Sequence, residues 1–242
     1  MTASSRRGAA SAVPAGAVAL SALFVAALAI AQPTASKILA FRLPVTLPVT
    51  GPELVLPGAA LAYALTFLAS DCYTELYGRR SAQVLVNVGF LMNLLVLALV
   101  YSTITAPAAD PEFAATFEAA LAPTANVVAG SLLAYVVSQN YDVVVFDALS
   151  NYTDGRRLWL RNVVSTGTSQ AIDTVIFVGV AFWVLPQYAG VGGVAPKASI
   201  VLSLIVGQYL LKLLIALFDT PFVYLITGAV RRSESSNSGV LQ

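Results

Sequence analysis

The sequence predicts an all-α integral membrane protein of six transmembrane helices, with both termini cytoplasmic and a short Pro-rich extended segment between spans 1 and 2. Three observations carry this. Of the 242 residues, 58% are hydrophobic and 10% charged, with mean hydropathy +0.80, whereas a soluble domain runs near a quarter charged. Charge-free runs extend from Gly8 to Ser36, Leu54 to Ser70, Ser81 to Ala109, Ala119 to Tyr141 and Thr174 to Pro196, most of them matching or exceeding the ~20 residues that cross a hydrocarbon core. Finally, when six spans are laid on the chain, Arg6, Arg7, Arg79, Arg80, Arg156, Arg157, Arg161, Arg231 and Arg232 fall on the side of the termini. Only Arg42 and Lys197 fall opposite, an asymmetry that sets orientation because cytoplasmic loops retain basic residues.

Residues 1–15 read as a cytoplasmic tail, 16–230 as the transmembrane domain and 231–242 as a disordered C-terminal tail. Span 1 covers about 17–40. Its Arg-led start resembles a signal peptide, but the apolar run continues past the usual cleavage length. Pro33, which lacks an N–H, is expected to kink it. Pro44, Pro48, Pro52 and Pro57 forbid a helix over 41–57 and leave an extended or hairpin-like cover. Span 2 covers about 58–77 and stops at Gly78; span 3 covers about 81–105 and is ended by Pro107 and Pro111. The stretch 106–123 holds Asp110, Glu112 and Glu118 and no base, and reads as a connection. Span 4 covers about 125–149, the polar loop 150–157 follows, and span 5 covers about 162–186. A Gly-rich loop, 190–196, leads to span 6 at about 198–229, long enough to tilt.

The same composition excludes chemistry. With no histidine there is no Ser-His-Asp triad and no histidine-ligated metal, and the single cysteine, Cys72, forbids an intrachain disulfide or a multi-cysteine metal site. A net charge of +1 provides no basic footprint for nucleic acid. The expectation is a non-enzyme with no metal and no cofactor, multi-pass in the cytoplasmic membrane. Its partners are a small-molecule substrate and membrane lipids, and the sequence leaves open a homodimer.

Ionisable groups inside a bilayer cost ~3 kcal/mol or more on insertion scales, so each needs a partner or a role. Lys37, Asp71, Glu75, Asp142, Asp147, Asp173, Lys212 and Asp219 fall in or at the ends of spans, and their charges do not cancel. Asp71 and Glu75 share a helix face at the end of span 2, where a network with Arg79 and Arg80 is one reading. Gln139 and Asp142 are three apart in span 4, among Ser138, Asn140 and Tyr141, and Gln170 and Asp173 repeat that spacing in span 5. In span 6, Gln208, Lys212 and Asp219 share a face, with Lys212 free to bridge to Asp219 or Asp173. A carboxylate paired with an amide on each of two spans presents several acceptors and a donor, a set that suits a small, polar, donor-rich solute. From the residues alone a heterocycle, a sugar or an amino acid would serve.

Specific motifs narrow this. Leu56 to Gly78, LPGAALAYALTFLASDCYTELYG, with Asp71, Glu75, Tyr77 and Gly78 in fixed order, resembles a signature of the vitamin-uptake-transporter family of queuosine-precursor permeases. Gly130 to Phe146, GSLLAYVVSQNYDVVVF, and Leu158 to Phe177, LWLRNVVSTGTSQAIDTVIF, resemble further motifs of that family, as does Lys212 to Leu225 with its DTPFVYL. Ala35 stands where the family often has Asn. The resemblance covers about residues 17–230 and implies an importer of 7-deazaguanine bases such as preQ0 or preQ1. On that reading Gln139, Asp142, Gln170 and Asp173 hold the base, Asn140, Lys37 and Lys212 make secondary contacts, and Asp71, Glu75, Arg161 and Asp219 form a gate or structural charge network. The alternative is a substrate-binding subunit that needs an energy-coupling ATPase module, docked on the small-residue face Ala15, Ala19, Ala22, Ala26 and Ala29. A carboxylate-based intramembrane hydrolase is a third class, without a protease signature to support it.

Overall fold

The computed structural model describes the backbone of residues 13–47, 50–153, 158–189 and 195–239, and within these the side chains except at 47, 146, 150, 158–162 and 233–239. Arg6, Arg7, Arg156, Arg157, most of the Gly-rich loop and the last three residues lie outside the described residues, as does the side chain of Arg161. The described chain is mostly helical. Its elements are α1 (Ala15–Thr34), a hairpin of β1 (Ile38–Leu47) and β2 (Gly51–Pro57), then α2 (Ala60–Tyr77), α3 (Arg79–Thr105), α4 (Pro111–Leu121), α5 (Thr124–Tyr152), α6 (Leu158–Val178) and α7 (Ala198–Gly239). A π-helical stretch, Gly179–Ala189, continues α6; it contains Pro186, whose missing N–H cannot join a regular ladder.

Among the described residues, five apolar helical stretches are long enough to cross a membrane: Ala15–Thr34, Arg79–Thr105, Pro111–Leu149, Val163–Ala189 and Ala198–Arg232. The distribution of polarity agrees. Large apolar side chains such as Leu91, Val144 and Leu217 are exposed, while Gln32, Asn93, Thr174 and Gln208 are buried, the reverse of a water-soluble globule. This is a multi-pass membrane protein. α2 has 18 residues and carries Asp71 and Glu75; it packs against α1, α3 and α7.

α7 runs on to Gly239, past the expected end near residue 229, and two further differences have local reasons. The first helix ends at Thr34 rather than about residue 40, so Pro33 sits in its last turn. The freed end is tied locally: Thr34 Oγ1 donates to the Ile30 carbonyl at 2.7 Å, Ser36 Oγ to that of Pro33 at 2.8 Å, and the Lys37 amide to that of Thr34 at 3.2 Å. From Ile38 the chain is extended. β1 runs antiparallel to β2 from Ile38 opposite Pro57 to Arg42 opposite Glu53, and the register breaks between Arg42 and Leu47, where Pro44 cannot donate to the ladder.

The second difference is α4, an extra helix inside the acidic stretch read as a connection. Asp110 Oδ1 accepts from the amides of Glu112 at 3.0 Å and Phe113 at 3.2 Å, with Pro111 in the first turn. An Asp cap, a Pro at the first helical position and a Glu behind it are the usual start of a helix.

The hairpin is wedged onto one end of the bundle. Leu56 is buried, and the backbone of Val55 lies so close to α7 that a Cβ on Gly207 would fall 2.1 Å from the Val55 carbonyl oxygen. At the hairpin root the Gly58 amide donates to Lys37 O. Elsewhere small residues set close helix approach: Gly89 of α3 faces Phe24 and Leu28 of α1, and Gly130 of α5 faces Ala181.

Candidate functional site

Between the helices, α1, α2, α3, α5, α6 and α7 together line a partly open cavity of about 350 Å³. Its walls carry Gln32 from α1; Tyr63, Thr66 and Asp71 from α2; Asn93 from α3; Ser131, Ser138 and Gln139 from α5; Gln170 and Asp173 from α6; and Gln208 and Lys212 from α7. Phe67, Phe90, Tyr135 and Phe177 supply flat apolar surface between them. Concave, mostly apolar space with a few convergent polar groups is the common form of a small-molecule site.

An ion pair anchors it. Lys212 Nζ donates to Asp173 Oδ2 at 2.5 Å, and Ser138 Oγ donates to Asp173 Oδ1 at 3.2 Å. The Lys212 and Asp173 side chains are 11% and 23% exposed. Of the two partners open to Lys212 in the sequence, the fold selects Asp173. Each Asp173 oxygen has one protein donor and keeps further acceptor capacity. On the neighbouring wall, Tyr63 and Ser131 share a hydrogen bond of 3.3 Å, and the Tyr63 ring meets Phe177 edge-on at 6.3 Å between centroids. Gln83 donates to the Tyr135 hydroxyl at 2.9 Å, and that ring lies 4.2 Å from Phe90, centroid to centroid.

Thus Gln139, Gln170, Asp173, Lys212 and Asp71 meet on one cavity. Other candidates stand elsewhere. Asn140 is exposed and donates to the Val136 carbonyl of its own helix at 2.6 Å. Lys37 is exposed at the root of the hairpin. Asp142 is half-buried one turn from Gln139, with Oδ1 lacking a protein partner, and lies off the cavity lining.

A second, more open space of about 470 Å³ between α2, α6 and α7 shares Phe67, Asp71, Gln170 and Lys212 with the first and adds Asp219. A third shares Asp71 and Asp219 and reaches Glu75. The three spaces thus share lining residues along α2 and α7, with Asp71 common to all of them. In the third, Glu75 Oε1 accepts from Arg231 of α7 at 2.9 Å, so the base that holds Glu75 comes from the far end of the chain rather than from Arg79 or Arg80. Both side chains are more than half exposed, and an exposed pair contributes about 1 kcal/mol or less. Glu75→Gln is expected to leave the thermal midpoint in detergent nearly unchanged, and to make it insensitive to the salt that screens the pair in the unaltered protein.

A family model described as "Putative vitamin uptake transporter" matches residues 57–226. The chain belongs to that family. A curated relative from Bacillus subtilis (strain 168), named "Probable queuosine precursor transporter", is 33% identical over 178 residues, which cover 72% of this chain and 73% of the relative. No solved structure matches. The family is one of transporters, which points away from an enzyme. For this vitamin uptake transporter homologue, the matched region runs from the hairpin end through most of α7 and contains every cavity residue named above except Gln32.

Gln32 and Asn93 escaped the reading of the sequence. Gln32 is the one amide in its charge-free run and Asn93 follows Gln83 and Asn87 in its own, and an uncharged polar residue leaves such a run intact. The legible signal was a strongly polar side chain within a span, which the bilayer penalises as it does a charge, only less.

Proposed function

We propose that this chain is a six-span carrier that imports a queuosine precursor of the 7-deazaguanine type, such as preQ0 or preQ1, across the cytoplasmic membrane for tRNA modification. α2 is the sixth span in this reading. It is short and charged because it lines the cavity rather than facing lipid: at 1.5 Å per residue its 18 residues reach about 27 Å, near the ~30 Å of a hydrocarbon core. Both termini are then cytoplasmic, the hairpin caps the outer end, and the Asp71, Asp219 and Glu75 route leads inward.

The observation that carries the reading is the Asp173–Lys212 pair, set in a cavity with Gln139 and Gln170. A guanine-type ring offers an N–H and an exocyclic amine side by side, which a carboxylate accepts together, while a carbonyl next to them suits an ammonium or amide donor. Ser138 and Lys212 hold the carboxylate in place before the base arrives. Asn140 and Lys37 point elsewhere and take no part. Asp142 acts from outside the contact surface, so its neutralisation weakens uptake less than that of Asp173. The relative's printed name supports the substrate class.

Cells that make no precursor of their own and carry this chain should place queuosine in their tRNA when preQ0 or preQ1 is supplied. Absence of queuosine at normal membrane abundance of the chain would overturn the proposal. The face formed by Ala15, Ala19, Ala22 and Ala26 is exposed on α1, so reconstitution of the chain alone separates the carrier from a subunit that requires an ATPase.

A further inference from the structure

Gln32 of α1 and Asn93 of α3 are 0% and 1% exposed, and neither the carbonyl oxygen nor the amide nitrogen of either has a hydrogen-bond partner in the protein. Both line the central cavity. α1 and α3 pack directly through Gly89 against Phe24 and Leu28, so the two amides belong to one wall, whereas Asp173 and Lys212 come from α6 and α7. The large majority of buried side-chain polar atoms in native proteins have a hydrogen-bond partner, and four unsatisfied amide atoms in one cavity lining call for a ligand that pairs with them in part.

A primary amide carries an acceptor and a donor side by side. Its complement is a neutral ring edge on which an N–H and a bare ring nitrogen or carbonyl are adjacent. We propose that Gln32 and Asn93 form a second recognition point that takes such an edge, next to the edge held by Asp173. In a 7-deazaguanine the carboxylate takes the pyrimidine N–H and exocyclic amine, and the edge left over is the pyrrole N–H with the neighbouring pyrimidine nitrogen. This rests on the carrier reading above and adds to it the edge by which the ring is oriented.

The test uses the purified full chain, preQ0 and N9-methyl preQ0, with the near-isosteric variants Gln32→Met and Asn93→Leu, followed by calorimetric titration and by the thermal midpoint without ligand. Removing a partner from a buried hydrogen bond weakens binding by about tenfold. We expect each variant to lose about that factor for preQ0. Methylation should cost the unaltered protein a comparable or larger factor and cost the double variant little, because the contact is already gone. The ligand-free midpoint should hold or rise, since an unsatisfied amide has been replaced by an apolar group of similar size. If the variants bind preQ0 as tightly as the unaltered protein, with a lowered midpoint or without one, the amides are structural and the proposal is overturned while the carrier reading stands. Equal and additive losses from methylation in all forms would overturn the assigned edge. Failure of the unaltered chain to bind preQ0 would overturn both.

Discussion

Lys212→Met is expected to destabilise the protein by about 3 kcal/mol and to abolish uptake, because it leaves Asp173 partly buried without its cation. Removing one member of a buried ion pair leaves an uncompensated charge in a medium that solvates it poorly, with reported losses of about 3–5 kcal/mol. The low end applies here, since the Asp173 side chain is 23% exposed to the cavity and Ser138 still donates to it. The double variant Lys212→Met with Asp173→Leu removes both charges, and replacing a whole pair by apolar side chains is often neutral or stabilising. It should recover the stability of the unaltered protein and stay inactive. Denaturant titration in detergent and precursor uptake, run on the same three variants, check this. Recovery of uptake along with stability would show that the pair only holds the bundle together.

Gly207→Ala should be the most disruptive single methyl in the described chain. Its Cβ would lie 2.1 Å from the Val55 carbonyl oxygen and 3.1 Å from its carbon. These are backbone atoms of a paired strand, which cannot rotate aside, so β2 must lift from α7. Overpacking costs about 1–3 kcal/mol where side chains can adjust, and backbone against backbone is expected at the upper end. Gly228→Ala, in the same helix but with nothing within 4 Å, should instead stabilise by roughly 0.5–1 kcal/mol through helix propensity. Gly89→Ala falls between, since it meets the ring of Phe24, which can turn. The order of thermal midpoints, with Gly228→Ala above the unaltered protein and Gly207→Ala lowest, tests whether the hairpin is seated on α7 as described.

Membrane residence was legible from composition because few charges remain once the loops are subtracted. Gln139, Gln170, Asp173 and Lys212 were legible because polar side chains recur there at helical spacing, and spacing of three or four places them on a common face. What spacing cannot decide is which face turns inward. Asn140 follows Gln139 by one residue, and the roughly 100° between them sends it back to its own helix and out of the cavity. The end of α1 was misplaced because apolar residues Ile38 to Phe41 serve a membrane helix and a strand equally well. Asp110, Pro111 and Glu112 spell the capped start of α4, a local signal that the acidic charge of the stretch masks. The choice of Asp173 over Asp219 by Lys212 depends on how α6 packs against α7, and no pattern within α7 contains it.

The central claim is that the cavity around Asp173 carries a 7-deazaguanine base through this chain without help. Proteoliposomes containing the purified chain and no other protein measure it directly, with external preQ0 followed into the lumen by mass spectrometry. The account predicts saturable entry for the unaltered protein and, for Asp173→Asn present at equal abundance, entry reduced to that of empty liposomes. Entry no faster than in empty liposomes for the unaltered chain, or equal entry with Asn at position 173, would contradict it.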